Sequence, residues 1–315
     1  MHGLLTREPR VLSLLQKTEK AARSRVSVLL TGESGTGKST LARFIHERSP
    51  RSAAPFVEVS CANLPGELLE SELFGHERGA FTGAHEVHAG RFEQAHGGTM
   101  YLDEIQELEP ALQGKILRAI EDGRFERLGG TGTLSADVRI VASTRETPER
   151  LLAEGRLRED LYYRMDVVRV HLPPLRERPL DIDLLAEHFL AQAVARHGLP
   201  HRRIAPDVLE VLRRYDWPGN LREMSHAIES AAVLAAEEEI RVGDLPAGLS
   251  MASPSMIRSA AAAGLPLQDV ERAYIQEVLQ RTGGNKSEAA RILGIHRKTL
   301  HEKLRAVEAE IVRER

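Results

Sequence analysis

One cysteine in 315 residues, Cys61, leaves no partner inside the chain, which excludes an intramolecular disulfide framework and a multi-cysteine zinc site. That usage fits a reducing, cytoplasmic setting. No apolar run approaches the ~18 residues needed to cross a bilayer, so no membrane role is expected. The opening MHGLLTREPR has neither an apolar core nor a small-residue cleavage site, and nothing in it suggests export. Charge of one sign is not in excess either. The 43 Lys and Arg against 46 Asp and Glu give a formal charge of −3, which argues against coating by nucleic acid over the whole surface and leaves room for a local basic face. No internal repeat at a solenoid period is visible.

What remains is globular in composition, 42% hydrophobic and 28% charged, and at about 150 residues per domain the length predicts roughly two domains. The first half alternates short apolar runs (Val26 to Leu30, Phe56 to Val59, Met100 to Leu102, Val138 to Ala142, Val167 to Val170) with stretches of helical period. The runs are apolar without alternation, as in strands covered on both faces. An α/β fold with a parallel sheet flanked by helices is predicted for residues 1–174. After Pro173 and Pro174, the spacing of Leu184, Leu185, Phe189 and Leu190, then of Val208, Leu209 and Leu212, predicts an all-helical subdomain over 175–245. Residues 246–267 are rich in small residues, nearly uncharged and without period, which reads as a linker before a last domain at 268–315.

Behind the first strand, Gly32-Glu33-Ser34-Gly35-Thr36-Gly37-Lys38-Ser39 satisfies G-x-x-x-x-G-K-[ST] in the strand-to-helix context that the motif requires. The glycines let backbone N–H groups curl around a phosphate, the following helix N-terminus favours the anion, Lys38 reaches the β- and γ-phosphates, Ser39 can ligate Mg²⁺, and Thr40 is counted with the loop as nucleotide-binding. ATP with magnesium is the expected ligand. The run Met100-Tyr101-Leu102-Asp103-Glu104 ends a strand with adjacent acids, Asp103 for the metal through water and Glu104 to polarise the attacking water.

Residues 79 to 84, Gly79-Ala80-Phe81-Thr82-Gly83-Ala84, follow Ser71-Glu72-Leu73-Phe74-Gly75-His76-Glu77-Arg78, and this GAFTGA segment resembles the signature loop of bacterial enhancer-binding proteins, the sigma-54-dependent activators among the AAA+ ATPases. The resemblance runs from about Leu4 to Pro246 and takes in Phe125-Glu126-Arg127-Leu128-Gly129-Gly130, Leu172-Pro173-Pro174-Leu175-Arg176-Glu177-Arg178 and Trp217-Pro218-Gly219-Asn220-Leu221-Arg222-Glu223. It implies an AAA+ α/β subdomain with a helical lid, a hexameric ring, and ATP turnover that moves the GAFTGA loop against sigma-54 RNA polymerase holoenzyme to remodel a closed promoter complex. From the residues alone, Phe81 among small residues reads either as a buried ring capping a tight turn or as an exposed contact aromatic on a mobile tip; the resemblance implies the second.

By the same resemblance, Arg158 and Arg164 match the arginines that a neighbouring subunit supplies to the phosphates, Arg222 matches the lid's sensor arginine, and Thr144 the sensor threonine after the fourth strand. Three positions depart from the family. Ser39 stands where many members have Glu, and its hydroxyl should help metal binding. Ser60 replaces the usual Asn that restrains the catalytic glutamate, and is expected to reach Glu104 only weakly or through water. Arg145 stands where Asn is usual, so a cation is expected near the phosphates. About 30 residues precede the phosphate loop, too few for a phospho-receiver or ligand-sensing domain, so either the chain is trimmed or control comes from a separate protein.

In the last block, Asn285 and Glu288 form a capping-box pattern, Gly294 reads as a helix stop, and a second helix begins near Arg297, with Ala290, Leu293, Ile295, Leu300 and Leu304 as the small core between them. Seven Lys or Arg against two Glu between 281 and 305 supply the basic face that the whole chain lacks. AARILGIHRKTLHEKL resembles the Fis-type helix-turn-helix, implying double-stranded DNA at upstream sites as partner. Arg297, Lys298 and His301 are placed toward a major groove and Arg305 on phosphate. The stripe Val270, Tyr274, Ile275, Val278 and Leu279 reads as core or dimer seam. His85 and His88 near the loop lack a third metal ligand nearby and read as polar residues facing solvent. Beside the activator stand two other readings, a P-loop motor acting directly on DNA and an ATP-binding regulator with impaired turnover.

Overall fold

The computed structural model describes residues 4–62, 64–246, 249, 264, 266–282, 285–301 and 303–304. The chain divides into two compact units, Met1–Pro246 and Ala247–Arg315.

The first unit is built on a five-stranded parallel sheet. Its strands are β1 (Val28–Thr31), β2 (Phe56–Ser60), β3 (Thr99–Asp103), β4 (Arg139–Thr144) and β5 (Val168–His171), in spatial order β2-β3-β4-β1-β5. Both ends of each strand lie within two residues of its sequence prediction, and the α/β class holds. β1 and β4 are buried along their whole length, which explains the apolar runs 28–30 and 140–142 within them. The side-chain period of two then sorts residues between the faces. Leu29, Met100, Leu102, Ile140 and Ala142 join one core with Leu69, Leu73, Leu112, Ile116 and Leu161, whereas Val28, Leu30, Tyr101 and Val141 join the other with Leu41, Ala42 and Ile45. The first core therefore lies against α3 (Gly66–Phe74), α4 (Pro110–Glu121) and α5 (Glu159–Met165), and the second against α1 (Pro9–Ala22) and α2 (Lys38–Glu47).

Strand order decides where chemistry can gather. β4 lies between β1 and β3, so the carboxyl ends of these three strands, Thr31, Thr144 and Asp103, are side by side. Ligands of open α/β sheets bind at that edge.

The helical part consists of α6 (Ile182–His197), α7 (Pro206–Arg214) and α8 (Asn220–Leu234). The expectation of helix throughout is corrected at two places: Arg203–Ile204 and Glu239–Ile240 pair as a short parallel ladder. Trp217 is fully buried, donates its indole N–H to Leu212 O at 2.9 Å and meets Tyr215 edge-on at 5.1 Å. It packs the lid, as its residue type suggests.

In the second unit, α9 (Leu267–Arg281) and α10 (Lys286–Ile292) are followed by helical residues from 297. Asn285 caps α10, its side-chain oxygen accepting from Ser287 N at 3.2 Å and Glu288 N at 3.3 Å, and Gly294 takes φ 65° where the helix stops. Ile275, Val278, Ala289, Ala290 and Leu300 form the core, with Leu279, Leu293, Ile295 and Leu304 against it. Tyr274, expected on the same stripe, is exposed. Most of the expected linker lies outside the described residues.

Candidate nucleotide site and effector surfaces

The phosphate loop joins the buried β1 to α2, whose N-cap is Gly37. Gly35 shows why the sequence needs glycine: its φ is 76°, and a Cβ there would stand 2.3 Å from Gly219 O. Close approach of the lid backbone requires the missing side chain. Leu221 N donates to Gly35 O at 2.9 Å, so loop and lid share a backbone hydrogen bond.

Lys38 is buried and donates its ammonium to Gly32 O at 2.8 Å and Glu33 O at 3.0 Å. Burial depresses its pKa, and the charges of Asp103 and Glu104 offset part of that depression. Ser39 and Thr40 are exposed at the first turn of α2, and Thr36 Oγ1 closes the loop on Glu33 O at 2.8 Å. Asp103 ends β3 and accepts on Oδ1 from the Tyr101 hydroxyl at 2.7 Å and from the Ser143 hydroxyl. Glu104, the next residue, takes φ 60° and donates its backbone N–H to the same Ser143 Oγ at 3.2 Å. Ser143 is fully buried. It ties both acids to the end of β4, a role that no motif announced.

The positions that depart from the family separate in space. Among the described residues Ser60 makes no direct hydrogen bond to Glu104; in the sheet register it pairs with Asp103. Glu104 is approached by Arg145, whose Nη1 lies 4.0 Å from Oε2 while Nη2 donates to Glu107 Oε1 at 2.9 Å. Thr144 is buried, and its hydroxyl exchanges hydrogen bonds with the backbone of Glu146.

The lid reaches the loop through side chains that sequence reasoning did not single out. Asn220 is fully buried with φ 52°; its oxygen accepts from Leu175 N at 2.7 Å and its amide donates to Ser34 O at 3.0 Å and Glu33 Oε2 at 3.3 Å. Arg176 forks onto both Glu33 oxygens at 2.6 and 2.9 Å, and these bonds, with Asn220, hold the Glu33 carboxyl below its ordinary pKa. Arg178, also buried, donates to Pro173 O and, at 3.3 Å, to Thr36 O. Arg222, which sequence did point to, donates to Ser34 Oγ at 3.0 Å. Arg158 and Arg164 are different. Both are exposed, Arg158 bonded to Asp160 and Arg164 to Ile120 O at 3.5 Å, and neither bonds to the phosphate loop of its own chain.

The GAFTGA loop rises from a two-residue ladder, Gly75–His76 with His88–Ala89. Gly79 and Gly83 have φ of 84° and 108°, and Gly79 N donates to Ala84 O at 2.8 Å, closing the tip. Phe81 is 39% exposed. Its ring also meets His76 edge-on at 4.9 Å, and His76 stacks on His88 at 5.5 Å. Thr82 and His85 are exposed. At the loop's base Arg127 bridges Glu77 and Glu93 at 2.8 and 2.7 Å. In the second unit Arg297, Lys298 and His301 share one exposed helical stretch, and Arg305 lies outside the described residues. Among the described residues there is no cluster of three metal-binding side chains and no helix long and apolar enough to cross a membrane.

Comparison with known proteins finds three families in order along the chain. They are the Sigma-54 interaction domain over residues 4–171, the AAA+ ATPase lid domain over 176–262, and the Bacterial regulatory protein, Fis family, over 266–306. The transcriptional regulatory protein ZraR of Salmonella typhimurium is 45% identical over 302 residues, covering 96% of this chain and 68% of ZraR. The DNA-binding transcriptional regulator NtrC of Salmonella typhimurium is 43% identical over 314 residues, covering 92% and 67%. The crystal structure of NtrX from Brucella abortus in complex with ATP matches with a TM-score of 0.72 at 38% identity, over 96% of this chain and 68% of that one. The ADP complex of the same protein matches at 0.74 and 36%, over 97% and 70%.

Proposed function

Since the chain belongs to the sigma-54-dependent transcription activators, AAA+ proteins with a Fis-type DNA-binding domain, we propose that it hydrolyses ATP and spends the turnover on sigma-54 polymerase through its GAFTGA loop. The observation that carries this reading is the meeting of Lys38, Asp103, Glu104 and the lid residues Asn220 and Arg222 at one sheet edge. In it, Lys38 exchanges the carbonyls of Gly32 and Glu33 for β- and γ-phosphate oxygens, and Glu104 polarises the water in line with the γ-phosphate. Magnesium suits the donors present. Among the described residues Asp103 Oδ2 receives no hydrogen bond, both of the residue's partners being on Oδ1, and the Ser39 hydroxyl, next in sequence to Lys38, is exposed; both would offer Mg²⁺ the oxygen ligands that it prefers. When bound, the ion neutralises charge on the β- and γ-oxygens.

Arg158 and Arg164 act in trans in this account. Their exposure and their lack of bonds to their own phosphate loop support a site completed by a neighbour in a ring, taken as a hexamer. Phe81 and Thr82 present the contact to sigma-54, with Gly79, Ala80, Gly83 and Ala84 shaping the tip. Arg297, Lys298 and His301 read an upstream DNA site, and Arg305 holds phosphate. The motor acting on DNA is disfavoured by the sigma-54 interaction family match.

Steady-state ATPase assays test the site. Lys38→Ala is expected to abolish Mg²⁺-dependent hydrolysis with weakened nucleotide binding, and Glu104→Gln to abolish hydrolysis while ATP still binds, because only the water loses its partner. Unchanged turnover in either variant overturns the assignment, and a wild-type chain that binds ATP without turnover selects the impaired regulator.

A further inference from the structure

The carboxylate assigned to the attacking water already has a partner. Among the described residues the cation within ion-pair distance of Glu104 is Arg145, at 4.0 Å, and the other arm of the same guanidinium is bonded to Glu107 at 2.9 Å. Backbone geometry sets this up. Glu104 leaves β3 with a positive φ and its N–H on Ser143, while Arg145 is the first residue beyond β4, the neighbouring strand. Ser60, on the opposite flank of β3, gives Glu104 no hydrogen bond. The charge of Arg145 is also felt at Lys38, where it opposes protonation together with Arg222. The guanidinium therefore lies within electrostatic reach of the lysine that holds the phosphates.

Two acceptors compete for that guanidinium. A carboxylate 4.0 Å away from a half-exposed arginine is a weak ion pair, whereas a terminal phosphate offers short charge-assisted hydrogen bonds in the arginine's own fork geometry. We propose that Arg145 is a latch on Glu104, closed while the site lacks a terminal phosphate and opened when that phosphate takes the guanidinium. Glu107 keeps the arginine in place on its second arm, so release of Glu104 needs only a side-chain rotation. ADP, with no γ-phosphate, leaves the latch closed. Arg145 is thus a positioning residue that makes the water-activating carboxylate available when a triphosphate is present. The inference rests on the ATPase reading of the site.

Equilibrium binding separates this from a merely structural arginine. The full chain, Arg145→Ala, Glu104→Gln and the double variant are titrated calorimetrically, in magnesium, with the non-hydrolysable β,γ-imido analogue of ATP and with ADP. Removing the Glu104 charge relieves repulsion of the phosphates whether or not Arg145 is present, so that effect cancels in the cycle and the remaining coupling belongs to the latch. The expected result is that Glu104→Gln tightens binding of the triphosphate analogue about threefold more with Arg145 present than in the Arg145→Ala background, the size of a partly exposed ion pair. With ADP the coupling should be absent. Additive effects with the triphosphate, or equal coupling with ADP, overturn the latch while leaving the ATPase reading standing. Failure of the wild-type chain to bind either nucleotide overturns both.

Discussion

Asn220 carries more of the joint between lid and phosphate loop than any other uncharged side chain described, and its removal should be felt as far as Ser34. In Asn220→Ala, the buried N–H of Leu175 loses its acceptor at 2.7 Å and the Ser34 carbonyl its donor at 3.0 Å. An orphaned buried donor costs about 1–3 kcal/mol. The backbone adds to this, because φ is 52° and alanine in the left-handed region pays about 1–2 kcal/mol that asparagine largely avoids. The sum is about 3 kcal/mol, and with a urea slope of about 3 kcal/mol/M for a unit of this size the transition should move down by about 1 M. The reporter is built in: Trp217, the single tryptophan, is buried three residues away. Its fluorescence during urea unfolding reads the lid directly. Asn220→Asp keeps the acceptor for Leu175 but sets a carboxylate against Glu33, formerly 3.3 Å from the amide, so it should fall between wild type and alanine and recover toward acid. A shift below about 0.3 M for Asn220→Ala would refute the reasoning, since it would mean that neither bond nor backbone conformation is held by this residue.

Two further outcomes follow from charge and burial. Arg176 and Asn220 hold Glu33 below its ordinary pKa, so the clamp contributes stability above the unfolded carboxyl's pKa, and that contribution is lost as pH falls through the lower folded value. Trp217-monitored unfolding should therefore lose stability on the acid side, less steeply in Arg176→Gln; identical acid limbs contradict the clamp. Cys61 is buried, and desolvation, with Asp103 nearby, pushes its thiol up to about 12. Iodoacetamide at pH 8 should leave it unmodified in the folded protein and alkylate it in urea, and rapid labelling of the native chain would refute its burial.

What the sequence disclosed and what it withheld divide by range. The phosphate loop, Asp103 and Glu104 were legible because their chemistry is written in contiguous residues at the end of apolar runs, and the sheet because strands covered on both faces lack alternation. Asn220 and the Glu33–Arg176 pair were not, since their partners lie 45 to 187 residues away and one asparagine or arginine has no periodic signature. Ser143 hid inside an apolar strand, and only the adjacency of β3 and β4 turns its hydroxyl into a tie on both acids. The ladders at Arg203–Ile204 and at His88–Ala89 span two residues each, too short for any period to show. The first hides strands in a helical stretch, and the second brings His88 and His76 under Phe81. The exposure of Phe81 is legible from its small neighbours in sequence, whereas its ring contact with His76 comes from the base of the loop.

Delivery of hydrolysis to a partner through the GAFTGA tip is separated from hydrolysis itself by Phe81→Ala. Phe81 lies outside the hydrogen-bonded network of the phosphate loop and supplies the largest apolar contact area at the tip. A ring that changes shape without a differential contact shifts no equilibrium in its partner. The measurement is open-complex formation at a sigma-54 promoter, with ATPase rate and DNA binding recorded on the same preparation. Phe81→Ala should hydrolyse ATP and bind DNA like the wild type but fail to open the promoter. Normal promoter opening by Phe81→Ala would contradict it and remove the loop from the mechanism.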